Sequence, residues 1–475
     1  MGRPTESTDM SKYVDRSKIP LKRVIGLPTS ILIVAGIMIG SGVFKKIAPM
    51  SQSLMSEPYI LLAWAAAGLI TILGAFTYSG LASMTNETGG LYEYVRLIYG
   101  DFTAFLLGWT YFIIVGSGSI AALAFVFAQS ADALIHFPVL FSGLKDVAIG
   151  QVIYPFRGLS IKILAMTMII LLTAINIRGV KNAGKLNNLI TGAKILGILL
   201  LILAGIFYTA APPGIPEHSQ TAHTLAGAAL FSGFFGALLS ALWAYDGWAN
   251  ITFVTGEIKN PERNLPFAII GGVSMATTLY IVLNWIYMKV LPVGQLARIP
   301  EQKIAAAVVS ESLFGRAGVT LIIVLILVCT FGALNGCIIS YPRISFRMAQ
   351  EKVFFKKAAW VHPVFNTPYV ALLYSGVWSC VLVFTGTFDE ITNLVVFSTY
   401  LFFGLAAAGL IKMKKQKKIT KKVIGYPGVQ VIIILFSLVL VTNTLIVQAR
   451  ASLLGLLLMF SGVPFYFWFK KQDRV

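Results

Sequence analysis

The chain has 475 residues, 57% of them hydrophobic and only 12% charged, with 38 Lys and Arg against 19 Asp and Glu for a formal net charge of +19. Apolar runs of about 20 residues recur along nearly all of it, which marks a polytopic membrane protein and leaves no polar stretch long enough to fold as a soluble domain. The opening 20 or so residues are polar and charged, without the apolar core and small-residue cleavage site of a signal peptide, so none is expected.

In chain order the apolar segments lie at roughly 25–46, 57–83, 102–135, 160–178, 187–209, 227–257, 265–290, 317–348, 368–386, 390–411, 427–448 and 451–469, which predicts twelve spans. Pro212-Pro213-Gly214, the lysine-rich run after Ile411, and Arg450 punctuate the later segments. The expected organisation is a cytoplasmic segment at 1–24, one transmembrane domain at 25–470 and a cytoplasmic tail at 471–475.

The net charge is compatible with nucleic acid or anionic lipid, so its distribution decides. With the N-terminus placed in the cytoplasm, Arg3, Lys12, Arg16, Lys18, Lys22 and Arg23 fall inside, and so do Arg178, Lys181, Lys185, Lys259 and Arg263. Arg343, Arg347, Lys352, Lys356, Lys357, the seven lysines from Lys412 to Lys422, and Lys470, Lys471 and Arg474 join them. About 10 of the 38 basic residues fall on the other side, so the positive-inside rule accounts for the charge with both termini cytoplasmic. No nucleic-acid partner is expected; membrane lipids are, with the lysine run able to touch anionic headgroups.

Cys329, Cys337 and Cys380 lie inside predicted spans and read as packing residues. His136, His218, His223 and His362 are scattered without the spacing of a metal or nucleophile site. No metal, cofactor or catalytic residue is implied.

The first span carries Ile37-Met38-Ile39-Gly40-Ser41-Gly42-Val43-Phe44 at its middle. Irregular backbone at that depth survives only inside protein or along a watered cavity, because lipid offers no hydrogen-bond partner. A second break is expected in span six, where Trp243-Ala244-Tyr245-Asp246-Gly247-Trp248 sets an acid and a glycine within an apolar run. Spans one and six are the corresponding positions of two inverted five-span repeats, at about 25–209 and 227–411, followed by two extra helices. Free N–H groups around Gly40, Ser41 and Gly42 suit a carboxylate. Carbonyls at Met38, Trp243, Ala244 and Asp246 suit an ammonium, so the pair would hold a zwitterion such as an α-amino acid. A close helix-packing contact is the alternative for Gly-Ser-Gly.

The first-span motif from Gly36 to Phe44 resembles that of the amino acid-polyamine-organocation superfamily, and specifically its L-type amino acid transporter family. Gly89-Gly90-Leu91-Tyr92-Glu93-Tyr94, with Gly100 and Ala104-Phe105-Leu106-Leu107-Gly108-Trp109, is similar to the family's link between spans two and three. The span-six motif and Asn260-Pro261-Glu262-Arg263-Asn264-Leu265-Pro266-Phe267-Ala268-Ile269 match in the same order. The resemblance implies an all-α fold of twelve transmembrane helices, in a five-plus-five inverted repeat with helices 1 and 6 discontinuous. It further implies an antiporter of L-amino acids, neutral and in some members cationic, that works without sodium in the cell membrane. On matching positions it implies a substrate site at Met38, Ile39, Gly40, Ser41, Gly42, Trp243, Ala244, Tyr245 and Asp246, with Trp243 as an aromatic gate.

Lys194, within span five, is open to two readings: a lysine snorkelling to the membrane surface, or a fixed ammonium standing where sodium sits in sodium-coupled relatives and bridging spans one and eight. The family has a lysine there, which favours the second. Asp246 either attracts a cationic substrate side chain or caps the unwound segment. Glu257 is expected in a salt bridge with Lys259 or Arg263, and Asn335 either packs span eight or faces the Lys194 region. Ser117 and Ser119 leave room for a larger substrate if they face the site.

Two departures from the family stand out. Gln350-Glu351-Lys352-Val353-Phe354 replaces the usual wording after span eight, and residues 136–159 lack the cysteine by which light subunits join a glycoprotein heavy chain, so no such partner is expected. The competing functions are proton-coupled amino acid or polyamine transport and, from another class, a membrane enzyme or sensor. The absence of clustered polar residues in the spans argues against the last.

Overall fold

The computed structural model describes residues 23, 25–84, 90–144, 146–147, 154–178, 183–208, 226–301 and 303–472, apart from the side chains of 183–189 and 253–257. Among the described residues every regular element is helical, except for one isolated bridge between Ile25 and Ile258. Ten helical stretches are long and apolar enough to cross a membrane, and the shorter apolar helices Ile190–Ile206 and Tyr369–Thr385 bring the spans to the predicted twelve.

Span 1 consists of Leu27–Met38, a break, and the pieces Gly42–Lys45 and Ile47–Leu54. Span 2 is Glu57–Ala82, and span 3 passes from Asp101–Thr110 through a π-helical turn at Tyr111–Val115 into Gly116–Ile135. Spans 4 and 5 are Leu159–Ile177 and Ala183–Ile206. Span 6 breaks after Gly227–Ala244 and resumes as the 3₁₀ stretch Trp248–Glu257. Span 7 is Pro261–Val290; span 8 is the part of Ala305–Ser340 beyond a kink at Gly315; spans 9 and 10 are Tyr369–Thr385 and Phe388–Lys415. Gly428–Val447 forms span 11, and Ala449–Phe460 with Gly462–Gln472 forms span 12.

Local sequence marks several starts. Pro28, Pro58 and Pro261 occupy the first turns of spans 1, 2 and 7, where the missing N–H costs nothing. Span 10 opens on a capping box in which Thr387 and Glu390 satisfy each other's backbone N–H groups. Large apolar side chains such as Leu69, Ile170, Leu435 and Leu457 remain exposed, which fits a surface solvated by lipid.

The repeat is visible in which helices touch. Span 1 packs on span 7 and span 6 on span 2; span 1 packs on span 5 and span 6 on span 10; span 5 packs on span 8 and span 10 on span 3. Exchanging each span with the one five later turns every pair into its partner. Spans 2 and 7, 3 and 8, and 4 and 9 pair with their own counterparts, as such an axis requires. The link before span 3 repeats the pattern too: the helix Leu91–Tyr99 turns at Gly100 (φ 85), and the helix before span 8 turns at Gly315 (φ 62). The two broken helices are thereby brought face to face at the centre.

Candidate functional site

The first break begins where Ile39 leaves helical geometry (φ −72, ψ 81) and ends where Ser41 re-enters it as the cap of the next helix. The second begins at Tyr245 and is carried by Gly247, whose φ of 92 is left-handed and disfavours any side chain. The breaks touch: a Cβ added to Gly42 would lie 2.5 Å from the Cα of Ala244. The close-packing reading and the site reading of Gly-Ser-Gly therefore describe the same contact.

A small cavity of ≈ 20 Å³ lies between them, lined by Ile37, Met38, Gly40, Ser41, Gly42, Ser119, Leu123, Trp243, Asp246, Gly247 and Cys337. Of the nine residues singled out as substrate-binding, Met38, Gly40, Ser41, Gly42, Trp243 and Asp246 line the cavity, and Ala244 backs Gly42. Ile39 instead offers its carbonyl to Lys194, and Tyr245 turns away to donate to the Trp64 carbonyl at 3.0 Å. Of the two serines, Ser119 lines the cavity; Ser117 donates to the Phe112 carbonyl across the π turn at 2.7 Å.

The backbone polarity of the breaks is partly satisfied internally. Gly40 N–H donates to the Met38 carbonyl at 2.8 Å, and Asp246 N–H to the Trp243 carbonyl at 3.1 Å. The Tyr280 hydroxyl, on span 7, lies 2.8 Å from the Met38 carbonyl and 3.0 Å from the Ala244 carbonyl and so ties the two breaks together. This modifies the expectation of free carbonyls: Met38 already faces two donors, Gly40 N–H and the Tyr280 hydroxyl, Trp243 faces the N–H groups of Tyr245 and Asp246, and Ala244 faces the Tyr280 hydroxyl alone. Tyr280 itself was missed by sequence reasoning. The one available signal was a tyrosine in an apolar span, which needs a partner for its hydroxyl.

Trp243 is 4% exposed; its Nε1 donates to Ser41 Oγ at 3.3 Å and its ring stands edge-on to Phe388, centroids 6.1 Å apart. Beyond Phe388 lies a charged layer. Lys45 and Lys46, 3% and 1% exposed, hold their ammoniums 4.3 and 4.6 Å from the Phe388 ring centroid. Lys46 pairs with Asp389 at 2.5 Å and donates to Thr392 at 2.8 Å, while Lys45 donates to Gln129 at 2.8 Å. Burial of this lysine pair depends on partners on spans 3 and 10, Gln129 and Asp389, which no local window of the sequence reveals. On the opposite side of the cavity, Trp248 packs edge-on against Tyr78 (4.8 Å) and Phe403 (5.6 Å).

Lys194 is buried, and its Nζ donates to the carbonyls of Gly36 (2.9 Å) and Ile39 (3.2 Å), on the last turn before the first break. Span 8 meets it at Gly332, where an added Cβ would lie 3.1 Å from Nζ. The ammonium is thus held inward, away from the snorkelling geometry. Asn335 does not face it: its Oδ1 accepts from Asn176 on span 4 at 2.7 Å. Asp246 Oδ2 accepts from the Tyr341 hydroxyl at 3.2 Å and lies 3.4 Å from the Ser119 hydroxyl, whose proton is shared with the Val115 carbonyl at 2.7 Å, joining the span-6 break to spans 3 and 8. The expected Glu257 salt bridge rests on a side chain outside the described residues; Glu262, further on, pairs with Lys421 at 2.7 Å. Among the described residues no group of three or more His, Cys, Asp or Glu could hold a metal ion, and Cys329, Cys337 and Cys380 carry free thiols.

Two broken helices facing one buried cavity inside an inverted repeat define a secondary transporter. The pattern of the amino acid permease family matches residues 25–468, and the chain belongs to that family. It is 31% identical over 458 residues to the serine/threonine exchanger SteT of Bacillus subtilis (strain 168), covering 95% of this chain and 98% of that one. It is 29% identical over 455 residues to the b(0,+)-type amino acid transporter 1 of Mus musculus, covering 94% and 88%. With the large neutral amino acids transporter small subunit 2 of Homo sapiens the identity is 28% over 458 residues, covering 94% and 81%. The chain is an L-type member of the superfamily, a membrane transporter and not an enzyme.

Proposed function

We propose that this protein exchanges small L-amino acids across the cell membrane by alternating access, without sodium. The observation that carries the reading is the position of Lys194: a buried ammonium on the Gly36 and Ile39 carbonyls supplies, at the first break, the positive charge that a bound cation would otherwise bring. The substrate carboxylate would take N–H groups of Ser41 and Gly42, and its ammonium the carbonyls of Met38, Trp243, Ala244 and Asp246 beside Tyr280. Both ends of the zwitterion then pull the breaks of spans 1 and 6 together, which is how binding energy drives closure. Trp243, hydrogen-bonded to Ser41, closes the cavity on the Phe388 side.

Ser119, Leu123 and Cys337 line the part of the cavity left for the side chain, which favours a small neutral one. That choice agrees with the serine/threonine exchanger among the relatives. The two hydroxyls on Asp246 support a capping role for its carboxylate. The distribution of basic residues supports cytoplasmic termini, and the cysteine-free stretch 136–159 supports a carrier that works without a disulfide-linked heavy chain. The test is counterflow into proteoliposomes preloaded with each amino acid, with and without sodium and with a pH gradient. Exchange of serine, threonine or alanine, equal in both salts, is expected; no exchange with any amino acid, or an absolute sodium requirement, overturns the proposal.

A further inference from the structure

A groove of ≈ 500 Å³ opens where span 12 ends, lined by Lys356, Trp468, Lys471 and Gln472. It is remote from the substrate cavity and shares no residue with it. Its walls come from two elements: the last turn of Gly462–Gln472, and the 3₁₀ turn Lys356–Ala359 that follows span 8. Phe355 holds them together, its ring 6.2 Å from Trp468 and 5.2 Å from Phe469.

The two lysines are set apart from their basic neighbours by having nothing to do. Lys470 donates to the Tyr466 hydroxyl at 3.2 Å, and Lys357 lies 5.8 Å from the Trp360 ring. Among the described residues no ion pair holds Lys356 or Lys471, and both residues line the groove. Trp468 is 45% exposed, with the adjoining Phe467 exposed as well, and Trp360, which follows the 3₁₀ turn, is 51% exposed. Indoles beside lysines at the ends of apolar helices mark the membrane–water interface, where a ring sits at headgroup level and a neighbouring ammonium meets phosphate.

We propose that this groove binds one anionic phospholipid, its phosphate between the ammoniums of Lys356 and Lys471, its headgroup against the Gln472 amide and its first acyl carbons along Trp468. The charge selects an anionic lipid over a zwitterionic one, because the groove offers two cations and no acid to meet a choline. The exposed apolar rim selects a lipid over a free phosphate. A lipid so held clamps the turn after span 8 to the end of span 12, two elements otherwise joined here by aromatic contacts.

The test uses the full chain in detergent, titrated with phosphatidylglycerol brominated on its acyl chains, with brominated phosphatidylcholine in parallel, and reads tryptophan quenching. Phosphatidylglycerol should quench at roughly tenfold lower concentration than phosphatidylcholine. The Lys356→Gln/Lys471→Gln variant should lose that preference, the Trp468→Phe variant should lose the phosphatidylglycerol-selective part of the quenching while the other exposed tryptophans keep the rest, and Lys417→Gln/Lys418→Gln in the other basic run should match the parent. Native mass spectrometry should count one retained phosphatidylglycerol in the parent and none in the double lysine variant, at equal folded mass. Equal quenching by the two lipids, an unchanged preference in the double variant, or full displacement by inorganic phosphate overturns the proposal. These readouts do not involve transport, so the result is independent of the function proposed above.

Discussion

Gly42→Ala puts the contact between the two breaks under direct test. The added Cβ would lie 2.5 Å from the Ala244 Cα, whereas ordinary contacts lie at 3.4–4 Å, so the breaks must separate by about 1 Å. Neither side yields as a flexible side chain would, because the obstacle is the first carbon of a residue at a helix end. Overpacking of this kind costs about 1–3 kcal/mol. If substrate must engage both breaks at once, that cost falls on the bound, closed state, which corresponds to about a 5- to 150-fold rise in the substrate concentration for half-maximal exchange. Counterflow of labelled serine in proteoliposomes measures it, with size-exclusion profile and thermal unfolding as controls for folding. Adding Ala244→Gly to the same chain removes one of the two colliding carbons and should restore part of the affinity. Parent-like affinity in the single variant, or no recovery in a well-folded double variant, refutes the argument that the breaks act as one site.

Lys194→Ala leaves the Gly36 and Ile39 carbonyls without their donor, at about 1–3 kcal/mol for buried acceptors, and exchange should fall about 5- to 150-fold with membrane expression retained; unchanged exchange defeats the ammonium role. Tyr280→Phe keeps the ring, which packs against Trp64 and Tyr245, but removes the one hydroxyl proton shared between the Met38 and Ala244 carbonyls. At about 0.5–1.5 kcal/mol in all, thermal stability should drop and the half-saturation constant should shift, and a chain altered in neither speaks against the bridge. Asp246→Asn retains an oxygen to accept from Ser119 and Tyr341, so neutral exchange should survive within severalfold; selective loss of arginine or lysine uptake would assign the carboxylate to a cationic guest instead. Lys46→Gln removes the tie from span 1 to Asp389 on span 10. Cys337, which lines the cavity, should then react faster with a membrane-impermeant thiol reagent added outside, read by peptide mass spectrometry, and an unaltered rate argues against a latch there.

What was legible in the sequence had a local physical cause. Twelve spans could be counted because the free energy of placing a helix in lipid is a sum over neighbouring residues, and the placements agree with the structure to within a few residues for most spans. The break at Gly40-Ser41-Gly42 could be seen because three helix-averse residues stand together, and the break at Gly247 because an acid and a glycine interrupt an apolar run. The tight turn between spans 11 and 12 is present as a single residue, Gln448, between Val447 and Ala449.

What the fold alone decided is who meets whom. Lys194 was visible as a charge in a span, yet only packing of span 5 on span 1 turns its ammonium onto the Gly36 and Ile39 carbonyls. Asn335 was placed on span eight with helix packing and site contact both open, and its bond to Asn176 on span 4 fits the packing role. The Tyr280 bridge spans 242 residues of sequence to Met38, and the Lys46–Asp389 pair spans 343. Neither leaves a trace in any window of the chain, since a hydroxyl or an ammonium in a helix looks the same whatever it will touch. Composition and local pattern determined a twelve-span transporter with two unwound helices; the tertiary structure determined that a tyrosine joins those helices, a lysine braces one of them, and a buried lysine pair stands beyond Trp243 and Phe388.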